Sequence, residues 1–384
     1  MGFYLAAKEV IRNRSRFFLF SLVIALITTL VLFIAALAEG LAQANKQYLE
    51  KIDAQLILFQ DKVELSATSS QIGRSKLNDI RRVEGVEKIG PIGLSSAKIM
   101  LTGQNKLFDI SIIGVEPDSS GSPPVLEGRP IQTNRGDETV LDQIVASQND
   151  IKVGETIIIQ SLQDSKEQYY RLKVVGITEP RQFLYNPSIF VPYLTWDRIR
   201  PKAMRGSALV ELTTNIVAVQ VKEGFDPKII AENIKTQVQG VDVVDVRTAY
   251  ESIPGYSVQQ NTLNTQQTFT LLIGILVIGG FFQIQTLQKI PQIGVLKAIG
   301  APNKVIANAV VLQIVIVTTF GVLVGGFVTL LLSLGLPDGI PIVFSAKSLL
   351  IDILLLILIG PIGGLVAVRS AIKVEPLTAL GLSA

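Results

Sequence analysis

The chain of 384 residues has no cysteine and no histidine. Without cysteine, no disulfide can staple any part of it and no thiolate can act as nucleophile or metal ligand. Without histidine, it lacks the side chain that titrates near neutrality and most often serves as general base or metal ligand. Charge is scarce: 17% of the residues are charged, 35 basic against 32 acidic. The slight basic excess is gathered beside apolar runs and makes no case for nucleic acid as a ligand. The acids are scattered, with no metal-ligand spacing. A phosphate-cradling G-x-x-x-x-G-K followed by Ser or Thr is absent, so the chain has no nucleotide cradle of its own. Ser95-Ser96-Ala97-Lys98 fits S-x-x-K, but the partner motifs S-D-N and K-T-G are missing and the stretch reads as strand. No catalytic, cofactor-binding or metal-binding residue is assigned.

Apolar residues, by contrast, make up 48% of the chain. Four nearly uncharged runs stand out, at residues 17–38, 268–287, 305–336 and 348–368. Each reaches the roughly 20 residues that a helix needs to cross about 30 Å of hydrocarbon. The third is longer than necessary, so it should tilt or project from the bilayer. Lys8, Arg12, Arg14 and Arg16 precede the first run; Lys289, Lys297 and Lys304 lie between the second and third; Arg369 and Lys373 follow the fourth. Basic residues collect on the cytoplasmic side, which places both termini inside and residues 39–267 outside. Ala36-Leu37-Ala38 resembles a signal-peptidase site, but the apolar run before it, about 22 residues, exceeds the usual leader and reads as a retained anchor. Phe3, Ala7, Val10 and Ile11 share one helical face, which fits either an interfacial helix or a simple extension of the first span.

The external segment carries a weak internal repeat. DAQLILF is strand-like, Ser75 can N-cap KLNDIRRV, Gly85 stops that helix, and VEKIGPI is strand-like again. Later, VAVQVKE reads as strand, Asp226-Pro227 as an N-cap followed by proline at the first helical position, and VDVVDV as strand after Gly240. Two β-α-β units thus flank an insertion, with FDISIIGV, ETIIIQ, YYRLKVVGIT and SIFVPY as its strands. EGLAQANKQYLEKI after the first span and YSVQQNTLNTQQ before the second fit either helices continuing outward as a stalk, around Ala44 and Gln260, or flexible linkers.

Within the membrane, Asp352 is the only acid, near the outer end of its span and within reach of Lys347 or lipid headgroups. Gln283 and Gln285 are candidates for interhelical hydrogen bonds, and Gly321, Gly325, Gly360 and Gly364 for close helix packing. Between the second and third runs, Pro291 can open a short helix that Gly300 stops and Pro302 forbids to continue. Ile293, Leu296 and Ile299 recur at a spacing of three along it. This apolar stripe must rest on lipid headgroups or on the groove of another protein.

QIGVLKAIGAPNKVI and the tail AVRSAIKVEPLTALG resemble the signatures of the MacB/FtsX/LolCE superfamily of ABC-transporter permeases. LQKIPQIGVLKAIGAPNK and ESIPGYSVQQNT are most similar to the DevC family of cyanobacteria. Many superfamily members have an Arg-Glu pair where this chain has Pro291 and Gln292, so an ionic contact of that glutamate has no counterpart here. The resemblance implies an α-helical membrane protein with four transmembrane helices and an α+β extracytoplasmic domain between helices 1 and 2. Its parts would be residues 1–38, an N-terminal helix and first span; 39–267, the external domain; and 268–384, the FtsX-like permease domain. Within the external domain, 39–102 and 213–252 would be porter-like and 103–212 sabre-like. Residues 291–300 would form a coupling helix, with Ile293, Gly294, Val295, Leu296, Lys297, Ala298, Ile299 and Gly300 contacting a separate ATP-binding cassette subunit. That subunit, not this chain, would bind and hydrolyse ATP. The further implied partners are a second copy of the chain, a periplasmic membrane-fusion protein, a TolC-like outer-membrane channel and membrane lipids. The implied activity is that of a type VII, or mechanotransmission, exporter in the inner membrane, moving a glycolipid or another amphiphile. An FtsX-like scaffold coupling an ATPase to a cell-wall hydrolase, and LolCE-like lipoprotein release, remain as alternatives.

Overall fold

The computed structural model describes residues 14–100, 107–163, 166–201, 212–335 and 342–374. The pattern of Phe3, Ala7, Val10 and Ile11, the basic Lys8 and Arg12, and the C-terminal proline and Ala-Leu signature lie outside the described residues. The chain divides into two units: Met1–Gly40 with Gln260–Ala384, and Leu41–Gln259.

Helix α1 (Arg14–Glu50) runs for 37 residues. No proline interrupts it, and its apolar first part gives way to a short second part that belongs to the external unit. Here Asn45, Tyr48, Leu49 and, past the helix end, Ile52 are buried at a spacing of three to four, one side of a helix inserted into a core.

The external unit then runs β1 (Leu56–Gln60), β2 (Ile72–Gly73), α2 (Arg74–Arg82), β3 (Val86–Met100), β4 (Leu107–Val115), β5 (Val125–Gly128), β6 (Glu138–Asp142) and α3 (Gln143–Gln148). It continues through β7 (Thr156–Gln163), β8 (Lys166–Thr178), β9 (Ser188–Pro192), α4 (Tyr193–Ile199), β10 (Thr213–Thr214), β11 (Ile216–Val221), α5 (Pro227–Gln237), β12 (Val241–Asp245) and α6 (Val246–Glu251).

The order β12-β1-β11-β3, antiparallel throughout, makes the first lobe. Each β-α-β unit is split to admit a strand of the other: β11 lies between β1 and β3, and β1 between β11 and β12. Alternation along β1 shows why its sequence is continuously apolar. Leu56 and Leu58 meet Leu77, Ile80, Ile230 and Ile234 of α2 and α5, while Ile57 and Phe59 enter the core that holds Tyr48 and Leu49. A strand covered on both faces has no polar side. Asp226 caps α5, its carboxylate accepting from Lys228 N at 2.9 Å, with Pro227 in the first turn. Ser75 does not cap α2: that helix begins at Arg74 behind Gly73, and no side chain caps it.

The second lobe is a closed ring of strands. It runs from the far half of β3 through β4, β9, β6, β8 and β7, and β7 returns to β3 through Lys98↔Gln160, Ile99↔Ile159 and Met100↔Ile158. Strand β5 adds to β8 outside the ring. Alternate inward residues such as Ile99, Ile110, Ile112, Leu141, Leu172 and Ile189 fill it. Strand β3 is common to both lobes. Trp196 of α4 packs against Gly93 and Gly114, where any Cβ would overlap the indole, and donates from Nε1 to Ser95 Oγ at 3.0 Å.

The remaining helices are α7 (Tyr256–Gln288), α8 (Ile290–Ala298), α9 (Asn303–Leu334) and α10 (Ala346–Lys373). Together with α1, helices α7, α9 and α10 are long and apolar enough to cross a membrane. Their outward side chains, among them Leu26, Leu276, Leu323, Phe327 and Leu354, are apolar. Glycines set their close approach. Gly321 and Gly325 lie against Ser21, Ile24, Ala25 and Thr28 of α1; Gly360 and Gly364 against Thr318 and Ile314 of α9; Gly279 and Gly363 against each other's backbones. Gln283 bonds Ser370 at 3.0 Å. Asp352 Oδ1 accepts from Gln267 Nε2 at 3.0 Å, so a neutral amide one helix away meets the carboxylate. The Lys347 side chain lies outside the described residues.

Candidate functional site

Helix α8 is bounded by two stops that the sequence supplies. Lys289 leaves helical geometry after α7, and Pro291, which has no N–H to donate, fits the first turn of α8. At the far end Gly300 adopts φ +89°, a conformation that side chains resist. Gly300 N donates to Lys297 O and Ala301 N to Leu296 O, both at 3.0 Å, the paired bonds of a Schellman cap. Pro302 then caps the start of α9.

One face of α8 is fixed to the membrane unit. Ile293, 6% exposed, packs with Ile306 of α9 and Ala371 of α10. One turn on, Lys297 Nζ donates to Val374 O at 2.8 Å and to Ile372 O, carbonyls at the end of α10. Lys289 Nζ reaches Gln313 Oε1 at 3.4 Å and stands over the Phe17 ring. The opposite face is bare and uncharged: Gln292 is exposed, with Val295 at 48%, Leu296 at 37% and Ile299 at 77%.

Two expectations are corrected here. Ile293, Leu296 and Ile299 do not form one outward stripe. At 3.6 residues per turn a spacing of three drifts by about 60° per step, so Ile293 falls on the anchored face. The outward set is Gln292, Val295, Leu296 and Ile299, spaced i, i+3, i+4, i+7. Lys297 and the buried Gly294 belong to the inner side, while Ala298 and Gly300 are exposed. The spacing of Lys297 four residues after Ile293 is the signal that would have placed it inward. Of the stalk positions, Ala44 is 2% exposed within the external unit and Gln260 is half-buried on α7. Ala44 is covered because the end of α1 is inserted into a core instead of standing free.

The model described as MacB-like periplasmic core domain matches residues 17–237, and the FtsX-like permease C-terminal model matches residues 267–376. A Staphylococcus haemolyticus chain carrying the name hemin transport system permease protein HrtB is 29% identical over 377 residues, covering 98% of this chain and 99% of its own length. The macrolide export ATP-binding/permease protein MacB of Escherichia coli K12 is 24% identical over 248 residues, 59% of this chain and 35% of MacB. Among solved structures, the periplasmic region of MacB from Actinobacillus actinomycetemcomitans is 14% identical with a TM-score of 0.39, covering 54% of this chain and 97% of that one. This multi-pass membrane chain is a transporter component, and it belongs to the MacB/FtsX family of ABC-transporter permeases.

Proposed function

We propose that this chain is the non-catalytic permease subunit of a mechanotransmission ABC exporter, driven through α8 by a separate ATP-binding subunit. The observation that carries this reading is the two-sided character of α8. Its outward face is uncharged and, apart from Gln292, apolar, as a protein groove requires, and its inward face is fixed to α9 and α10. A helix held at both ends and on one side moves with its anchors, so a push on Val295, Leu296 or Ile299 reaches the membrane helices. The membrane unit, closed by glycine-mediated contacts around an apolar cluster, suits a chain that passes on movement better than one that conducts a polar solute.

In this reading two copies of the chain sit above two ATP-binding subunits, both termini are cytoplasmic, and the external unit works on the far side. The first lobe corresponds to the porter-like part and the strand ring to the sabre-like part. A periplasmic membrane-fusion protein and a TolC-like outer-membrane channel would receive the cargo. That cargo is a glycolipid or another amphiphile. The relative named for hemin transport favours hemin as a second candidate. With neither histidine nor cysteine available, such a cargo would be held here by its apolar faces more than by its iron.

The test is Leu296→Asp. It sets a carboxylate in the face that would fill the partner's groove, and an unpaired buried charge typically costs about 3–5 kcal/mol. The expected outcome is normal membrane insertion with loss of the co-purifying ATP-binding subunit. Retention of the subunit at the parent level would leave α8 resting on lipid and remove the basis of the reading.

A further inference from the structure

The sequence assigned no role to residues 179–186, the link from β8 to β9 in the strand ring. In the structure this link lies along the end of α1. Tyr185 N donates to Ala44 O and Tyr48 N donates to Gln182 O, both at 3.0 Å. Ala44 O and Tyr48 N are the two groups that an uninterrupted helix pairs with each other, so the link grips the helix by its own hydrogen-bond ladder. Gln182 N donates to Gln47 Oε1 at 3.1 Å. Arg181, 5% exposed, sends Nη1 to Lys51 O at 2.8 Å, placing a cation on a carbonyl at the C-terminal end of α1. Lys51 returns the contact, its ammonium donating to Glu179 Oε2 at 3.0 Å and to Pro180 O at 3.1 Å.

The same link reaches the second helix that joins the two units in sequence. The Tyr185 hydroxyl accepts from Asn45 Nδ2 of α1 at 3.3 Å and donates to Gln259 Oε1 of α7. Its base is fixed to the ring: Arg181 N donates to Asp142 Oδ2 at 2.8 Å, and Asp142 at the end of β6 is fully buried. Leu184 and Tyr185 hold φ of +50° and +64°, a left-handed geometry that non-glycine residues keep only where their surroundings over-determine it. A connection that needed only to join β8 to β9 has no reason to adopt it.

We propose that residues 179–186 are the joint through which movement of α1 and α7 enters the strand ring, with Arg181 and Tyr185 as its positioning residues. The proposal rests on the mechanical reading above and adds where, within the external unit, the movement passes from the helix ends to the strand ring. Four positions of α1 and Lys51 just beyond its end are held along little more than two turns, one of α7 is held by the same tyrosine, and the link is covalently continuous with two ring strands. Displacing either helix therefore displaces the ring.

The cysteine-free chain allows a direct test. Spin labels are placed at Asn261→Cys on α7 with Arg171→Cys on the ring, and in a second protein at Asn261→Cys with Lys235→Cys on the first lobe. All of these sites are exposed. Distances are measured in the complex with the ATP-binding subunit, without nucleotide and trapped with ATP and vanadate. The expected result is a nucleotide-driven shift in both pairs of the parent. In Tyr185→Phe and Arg181→Met the ring shift is lost while the first-lobe shift persists and ATP hydrolysis continues. Tyr185→Phe keeps the ring of the side chain and removes only the hydroxyl, so it guards against a misfolded Arg181 variant. A full-sized ring shift in folded Tyr185→Phe overturns the joint. If the parent shows no shift in either pair, the mechanical reading itself fails and the joint with it.

Discussion

Lys297 lies in a sequence window whose neighbours face outward, yet its ammonium serves the end of another helix. The last carbonyls of any helix lack internal partners and carry its partial negative charge, and Lys297 meets two of them at the end of α10. Replacing it by alanine should lower the stability of the purified chain by about 1 kcal/mol. Binding of the ATP-binding subunit should be retained, because the outward face of α8 is untouched. Thermal inactivation read alongside co-purification checks both, and loss of the partner without loss of stability would put Lys297 back in the interface. A second residue makes a pH prediction. Burial pushes the Asp142 carboxyl up to about 6, against the backbone N–H groups of Arg181, Ile144 and Ser188 that pull it down. The folded chain then binds this proton more tightly than the unfolded chain does. The stabilisation from this group is fully present below the ordinary carboxylate range and is lost as pH rises through about 6. Trp196, the single tryptophan, is buried beside the strand ring and reports its unfolding by fluorescence. The stability advantage of the parent over Asp142→Asn should be larger at pH 5 than at pH 7, and an equal difference would mean the carboxyl is not shifted. Asp226 was legible as a cap because capping is local; Asp142 and Lys297 were not, because their partners lie far away in sequence.

At the scale of elements, the sequence announces what depends on neighbours along the chain. Periodicity and punctuation locate the four spans, the stops of α8 and both split β-α-β units. The ring of strands is different: its closing contact joins β7 to β3, and no local pattern states which strand an edge will meet. The inserted end of α1 was similarly hidden, since an uncharged helix surface reads alike whether it faces a stalk partner or a core. Glycines in the spans give an element-scale prediction with an internal control. A Cβ at Gly325 would press on Ala25 O at 2.5 Å and on Thr28 of α1, whereas one at Gly280 meets nothing within 4 Å. Gly325→Val should therefore force α1 and α9 apart, at a cost of about 1–3 kcal/mol. Gly280→Val should be nearly neutral. Thermal stability of the two variants in the same detergent decides it, and equal losses would show that helix propensity, not interhelical contact, sets the cost.

For the whole molecule, everything argued about α8 depends on which side of the membrane it occupies, because ATP is hydrolysed in the cytoplasm. Arg14, Lys289, Lys297, Lys304, Arg369 and Lys373 all stand at one set of span ends, and Glu39, Glu50 and Asp352 stand at or near the other. Cations flanking short loops set orientation far more strongly than acids do. The connection holding α8 is short and has three lysines and no acid, so it should remain inside. The segment after α1 should be exported as a folded unit. Reporter fusions after Gly40 and Gly121 are expected to signal an external location, and fusions at Asn303 and Ala384 an internal one. Gly121 sits in the external unit, where the Tyr48 hydroxyl donates to its carbonyl at 3.2 Å, so a fusion there also reports that this unit has crossed. Asn303 is the first residue of α9 and lies five residues beyond the end of α8 at Ala298. An external signal at Asn303 would place Val295, Leu296 and Ile299 beyond the reach of any ATP-binding subunit, and the drive through α8 and the joint at residues 179–186 would fall together.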